Sequence, residues 1–220
     1  MINQDTLIVF DIDGTLTDSI PTYLPIITKV LADIGLKDID TDYDNYLHHT
    51  DRYALEYNYE RNFGKKAPQD LRYTLDTLLG EELIKHPSVP EIKGATTLLE
   101  ILINEKIPFA YGTGAFPKAT VVKMEGSGVP FIPEVLATSL ENVSRVGFVK
   151  EAIEKSKAHY GHSSFERIIA VGDGLWDLKA AQDLEIDFLG IGTKNKDAMF
   201  KNGCTHWVKD YANFDLSQFG

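Results

Sequence analysis

Thr6-Leu7-Ile8-Val9-Phe10-Asp11-Ile12-Asp13-Gly14-Thr15-Leu16-Thr17 is the stretch that decides the fold. Its near-continuous apolar opening reads as a central strand of a parallel sheet, buried on both faces. The strand runs straight into two carboxylates one residue apart. Side chains alternate along a strand, so a straight continuation points Asp11 and Asp13 the same way. Such a pair repels itself unless a cation sits nearby. A glycine and two hydroxyl residues follow at once. The tip therefore asks for a hard metal ion and a reaction.

Working outward, the composition narrows the partners. The chain has 220 residues, 43% hydrophobic, and a formal net charge of −11. That length allows one domain or a domain with an inserted lobe. No basic run exceeds Lys65-Lys66, which argues against binding a nucleic-acid backbone. No apolar stretch approaches the roughly 18 residues a membrane helix needs. The single cysteine, Cys204, excludes an internal disulfide framework and a thiolate metal cluster. It reads as a small filler ahead of a late strand. The expectation is a soluble, cytoplasmic protein.

The pattern after the loop divides the chain. Ser19 to Gly35 is expected as a helix, with Pro21 in its first turn and Leu24, Ile27, Leu31 and Ile34 at helical spacing. Up to Pro90 the chain is rich in Asp, Tyr, His and Lys, with helical patterns and no convincing strand. Residues 18–90 therefore read as an α-helical cap inserted into a core made of residues 1–17 and 91–220. The second half alternates. Helices are expected over 94–106, 117–125, 148–160 and 175–184. Strands are expected over 107–111, 134–138, 168–171, 186–191 and 206–208. Alternation of this kind predicts an α/β fold, a doubly wound parallel sheet with helices on both faces. The tail after Tyr211 carries little signal.

The chemistry lies at strand ends. Asp11/Asp13, Gly112-Thr113-Gly114 and Asp173/Asp177 each follow an expected strand. In open α/β sheets ligands bind beyond the carboxyl ends of the strands, where the strand order reverses, so the three can converge on one pocket. Asp11 can act as a carboxylate nucleophile and form an aspartyl phosphate. Asp13 can protonate a leaving oxygen and then activate water. Asp173 completes an oxygen-rich site of the kind Mg²⁺ takes, together with substrate phosphate oxygens. Thr113 offers a hydroxyl, and glycines 112 and 114 let the backbone approach a phosphate.

These motifs resemble those of the haloacid dehalogenase superfamily phosphohydrolases. The first is carried by Asp11-Ile12-Asp13-Gly14-Thr15-Leu16-Thr17 and the second by Thr113. The fourth is carried by Gly172-Asp173-Gly174-Leu175-Trp176-Asp177. The resemblance covers the opening loop and most of the chain from about residue 92. An insert directly after the first motif is similar to what this family calls a type 1 cap. The resemblance implies Asp11 as nucleophile and Mg²⁺ ligand. It implies Asp13 as acid/base, bound to metal through its carbonyl. Thr113 and Gly114 would hold the phosphoryl group, and Asp173 would ligate Mg²⁺, with Asp177 as ligand or its support. The Asp at 13 is similar to phosphatases and sugar phosphomutases rather than dehalogenases. The implied activity is a Mg²⁺-dependent phosphomonoesterase acting on a small phosphorylated metabolite. The alternatives are a β-phosphoglucomutase-like enzyme and a non-catalytic binding protein.

The third motif departs from the family pattern. A lysine or arginine is expected before the fourth motif to stabilise the nucleophile and phosphoryl group. The region reads Asn142-Val143-Ser144-Arg145-Val146-Gly147-Phe148-Val149-Lys150, without the common Lys-Pro element. Arg145 and Lys150 are the candidates, and Lys150 shares a polar helix face with Glu154 and Lys157. Trp176 is unusual between two aspartates and fits either core packing or a place beneath the cap. In the cap, the candidates for substrate contact are His48, His49, Asp51, Arg52, Arg61, Lys65, Lys66 and Arg72, with the 48–52 segment as the specificity segment.

Overall fold

The computed structural model describes residues 2–219. Its centre is a six-stranded, all-parallel sheet in the order β3-β2-β1-β4-β5-β6. The strands are β1 (Thr6–Phe10), β2 (Phe109–Thr113), β3 (Leu136–Thr138), β4 (Arg167–Gly172), β5 (Asp187–Ile191) and β6 (His206–Val208). Every residue of β1 is buried, as a strand covered on both faces requires. β2 and β3 extend to one side of β1, and β4 to β6 to the other. The strand order thus reverses at β1. Phe10 is in register with Tyr111 on β2 and Val171 on β4, which brings the ends of these three strands together.

Eight helices connect the strands among the described residues: α1 (Ile20–Asp33), α2 (Asp51–Phe63), α3 (Leu71–Leu83), α4 (Ala95–Asn104), α5 (Pro117–Ser127), α6 (Arg145–Tyr160), α7 (Leu175–Asp183) and α8 (Lys196–Lys201). None is long and apolar enough to cross a membrane. The first three form a helical lobe after β1. Its apolar cluster joins Tyr23, Ile27 and Leu31 of α1 to Leu55 of α2 and to Leu75 and Leu79 of α3. The same cluster takes in Ala115, Phe116 and Ala119 at the start of α5. The lobe is therefore packed onto the helix that follows β2, each large side chain contributing about 1.5–3 kcal/mol. A Cβ on Gly80 would meet Lys118 Cβ at 2.8 Å, so α3 and α5 touch closely there.

Element boundaries differ from expectation for local reasons. The strand expected at 107 begins at Phe109, because Pro108 has no N–H and offers only its carbonyl, to Ile8 N at 3.0 Å. Residues 133–135 form a short 3₁₀ turn before β3, set by Pro133. Helix α6 starts three residues early, since Ser144 caps it by accepting from Gly147 N at 3.2 Å. Helix α8 was not expected. The tail carries more than its sequence signalled: Tyr211 and Phe219 are buried in the main core.

Candidate active site

The loop after β1 is tied to itself and to β4. Asp11 N donates to Val171 O at 2.9 Å, and Leu16 N and Thr17 N both donate to Ile12 O. Gly14 turns the chain at φ +80°, and a Cβ there would lie 2.5 Å from Asp173 Oδ2. Only glycine lets the first loop and the β4 loop close on each other.

That closure gathers three acids. Asp11, Asp173 and Asp177 each offer a carboxylate oxygen, and these lie within 4.8 Å of one another. Asp11 and Asp177 are buried. Burial raises the Asp11 carboxyl to about 7, against the pull of Arg145 and with Asp177 and Asp13 adding to the rise. Burial also raises Asp173 well above the carboxylate range, helped by Asp177 and Asp11. Asp177 is raised by burial and pulled back by Arg145. Asp177 Oδ2 also accepts from Gly174 N at 3.0 Å, capping α7. Asp173 Oδ1 is buried and has no hydrogen-bond partner. A cluster of hard oxygens that raise one another's pKa, one of them orphaned, fits Mg²⁺ in donor chemistry and charge.

Arg145 supplies the cation from the first position of α6. Its Nη1 lies 3.1 Å from Asp11 Oδ1 and 2.7 Å from Asp177 Oδ1. Burial works against its charge, but Asp177 and Asp11 outweigh that and raise its pKa. Lys150 is exposed on the outside of α6, away from this group. The structure thus brings Arg145 to the carboxylates and leaves Lys150 out.

Thr113 is fully buried at the end of β2, its Oγ1 accepting from Ala115 N at 3.1 Å. Gly114 O accepts from Asp51 N at 2.9 Å and from Ser139 Oγ at 2.7 Å. A Cβ on Gly114 would meet His49 O at 2.5 Å and Arg145 Nη2 at 3.3 Å. This glycine lets the cap segment 48–51 lie against the β2 loop.

Asp13 has a partner that sequence reasoning missed. Lys123, on α5, is fully buried, and its Nζ lies 2.6 Å and 2.7 Å from the Asp13 oxygens. The ammonium also sits over the Tyr23 ring, 3.8 Å from its centroid, a cation–π contact. Ser19 Oγ donates to Asp13 and accepts from Thr17 Oγ1 at 3.0 Å. Tyr23 OH in turn donates to Asp51 Oδ2, which also accepts from Phe116 N at 2.7 Å. Burial raises Asp51 to about 6, with Lys123 opposing. One signal could have exposed Lys123: it falls at helical spacing from Ala119 and Thr120, on the buried face of α5. The adjacent Val121 and Val122 look more like interior residues and mask it.

Above the acids lies a cavity of about 160 Å³, lined on the core side by Asp11, Asp13, Gly114 and Arg145. His49 and Trp176 close one side, their rings stacked at 3.9 Å between centroids and 23° between planes. Trp176 thus meets the cap rather than the core. Of the other cap candidates, Asp51 lines the cavity. Arg52 pairs with Glu56, Arg61 with Asp38 and Asp40, and Arg72 with Glu141. Lys65 and Lys66 are exposed.

Comparisons with known proteins agree with this architecture. The chain superposes on a haloacid dehalogenase hydrolase of family IA, variant 3, from Entamoeba histolytica, at TM-score 0.72 and 16% identity. The match covers 100% of this chain and 97% of that one. A putative β-phosphoglucomutase from Bacteroides vulgatus matches at TM-score 0.71 and 15% identity, covering 97% and 88%. CbbY from Rhodobacter sphaeroides, in complex with phosphate, matches at 0.69 and 15%, covering 100% and 99%. At these identities the likeness shows the fold. A search of curated proteins finds no match. The family model "haloacid dehalogenase-like hydrolase" matches residues 6–184, and the chain belongs to that family of hydrolases.

Proposed function

We propose that the chain is a Mg²⁺-dependent phosphomonoesterase that works through an aspartyl-phosphate intermediate on Asp11. The observation that carries this reading is the convergence of Asp11, Asp173 and Asp177 within 4.8 Å beside an Arg145 that bridges two of them. Four groups from three segments, the β1 loop, the start of α6 and the turn from β4 into α7, have no packing reason to share one point, and gathering three carboxylates there is costly unless cations offset them.

Asp11, Asp173 and Asp177 would hold the ion. When bound, Mg²⁺ neutralises charge on the acids and on the phosphoryl oxygens. Asp11 is the nucleophile: its carboxylate oxygen forms a bond to phosphorus while the ester P–O bond breaks. Arg145 favours the ionised form of Asp11 against its burial and orients it, and its guanidinium can face phosphoryl oxygens in a forked geometry. Thr113 and the backbone at Gly114 position the phosphoryl group. Asp13, which pairs with Lys123 at rest, takes up a proton from water as substrate binds and gives it to the leaving alcohol oxygen. Lys123 stays beside the carboxylate that this transfer creates. Asp13 then takes a proton from water as the water oxygen attacks phosphorus and the Asp11–phosphorus bond breaks, releasing inorganic phosphate. The cap segment with His49 keeps bulk water from the site.

The test is release of inorganic phosphate from a panel of phosphorylated metabolites with Mg²⁺, with Asp11→Asn as control. The expected result is turnover that the substitution abolishes. Turnover that survives in Asp11→Asn would sink the nucleophile assignment. Conversion of a hexose 1-phosphate to its 6-phosphate without free phosphate would replace hydrolysis with mutase chemistry.

A further inference from the structure

The cavity that faces the acids has little to offer a hydroxyl. Its apolar wall is built from Ile20, Leu24 and Ile27 of α1, with Tyr43, Ala115 and Trp176. Most of the polar groups near it are already engaged, the exception being the ring nitrogens of His49, which is stacked on Trp176. Tyr23 OH donates to Asp51, whose Oδ2 also accepts from Phe116 N. Thr50 Oγ1 accepts from Tyr53 N at 3.1 Å and donates to Val143 O at 3.3 Å. Among the described residues, Arg145 is the only lysine or arginine lining the cavity, and it is held by Asp11 and Asp177.

Two classes of leaving group fit such a wall poorly. A polyhydroxylated sugar would lose its water without gaining partners, and unpaired polar groups are what specificity against a ligand is made of. A bisphosphate would need a second cation for its distal phosphate. The arginines of the cap are spent on Glu56, Asp38, Asp40 and Glu141, outside the cavity. The volume, about 160 Å³, lies below the roughly 300–1,000 Å³ of drug-sized sites, so the group is small. His49, Thr50, Arg145 and Trp176 also line a neighbouring cleft of about 660 Å³, which places the stacked rings between the two spaces.

Resting on the phosphomonoesterase reading, we infer that the preferred substrate is the phosphate monoester of a small, uncharged, apolar alcohol. Its hydrocarbon part lies against Ile20, Leu24, Ile27 and Tyr43, and its phosphate lies against Asp11 and Arg145. The His49–Trp176 pair covers it.

The test compares two esters of similar size and different polarity, n-butyl phosphate and glycerol 1-phosphate, on the native chain with Mg²⁺. The expected kcat/KM favours the butyl ester by about 100-fold, the scale on which an apolar pocket rejects added hydroxyl groups. Leu24→Asn and Ile20→Asn line the same wall with amides and should narrow that ratio to below about 10-fold. Glucose 1,6-bisphosphate should be the poorest of the three. Equal or faster turnover of glycerol 1-phosphate or the bisphosphate, abolished by Asp11→Asn, overturns the leaving-group inference and leaves the phosphomonoesterase reading standing. No phosphate release from any of the three overturns both.

Discussion

The ammonium of Lys123 lies 2.6 Å and 2.7 Å from the two carboxylate oxygens of Asp13, across 110 residues of sequence. Lys123 is fully buried and Asp13 partly so, which makes each the condition for the other. Removing either partner leaves the other as an uncompensated charge in or near the interior, which is strongly destabilising. Lys123→Met should cost roughly 2–4 kcal/mol in urea denaturation, the range for breaking a buried pair, reduced for Asp13's partial exposure. Lys123→Met with Asp13→Asn should recover part of that loss, with a coupling of about 1–3 kcal/mol in the double-mutant cycle. Strictly additive costs would show that the two groups do not act as a pair.

Arg145 meets both the proposed nucleophile and Asp177, and Lys150 meets neither. Arg145→Met removes the cation that offsets two buried acids, and kcat should fall by about 10²–10³-fold, as when one stabilising donor is lost. Arg145→Lys keeps the charge without the fork and should fall between. Lys150→Ala should leave kcat within about 2-fold of native. Steady-state rates at saturating substrate decide the matter, and a large loss in Lys150→Ala would refute the placement.

The sheet and the strand-end motifs were legible because they rest on local signals. Apolar runs give buried strands, and Asp11, Asp13, Thr113 and Asp173 follow them directly. Arg145 was legible only as one of two candidates, because the common Lys-Pro element is absent and α6 was expected to begin only at residue 148. Lys123 was not legible. Its pairing depends on how α5 meets α1 and the β1 loop, a long-range packing that no window of sequence carries. The same holds for Tyr211 and Phe219, which look like tail residues and are core residues. The fate of the cap cations was equally hidden. Arg61 and Arg72 read as candidates for substrate contact, and the tertiary fold gives each an acid instead, whereas the Arg52–Glu56 pair is an i,i+4 contact within α2.

The contact between Gly114 and His49 can be tested by adding one methyl group. An alanine Cβ would sit 2.5 Å from His49 O, so the cap segment must shift. Gly114→Ala should cost about 1–3 kcal/mol, the usual range for overpacking. It should also separate His49 from Trp176, which are stacked at 3.9 Å. The indole emission should then change in Gly114→Ala, and the change should vanish in a Trp176→Phe background, which keeps Trp207 as the remaining indole. An unchanged spectrum with native activity would mean that the loop absorbs the methyl elsewhere.

The raised acids give metal binding and stability a linked pH dependence. Asp11 is raised to about 7, chiefly by burial and against the pull of Arg145. Its unfolded counterpart titrates at about 4. Between those values the folded chain keeps a proton that the unfolded chain has released. Stability of the metal-free protein therefore falls as pH rises from about 4 to about 7, by on the order of a few kcal/mol. Asp173 and Asp177, raised in the same direction, add to the fall. Mg²⁺ needs the ionised carboxylates and must displace those protons. Its stabilising effect should therefore be small at pH 5, grow with pH and level off above about 7. Thermal unfolding with and without Mg²⁺ across that range measures both trends, and Asp11→Asn should weaken both. A Mg²⁺-induced rise in Tm as large at pH 5 as at pH 8 would mean that the ion does not compete with protons on these acids.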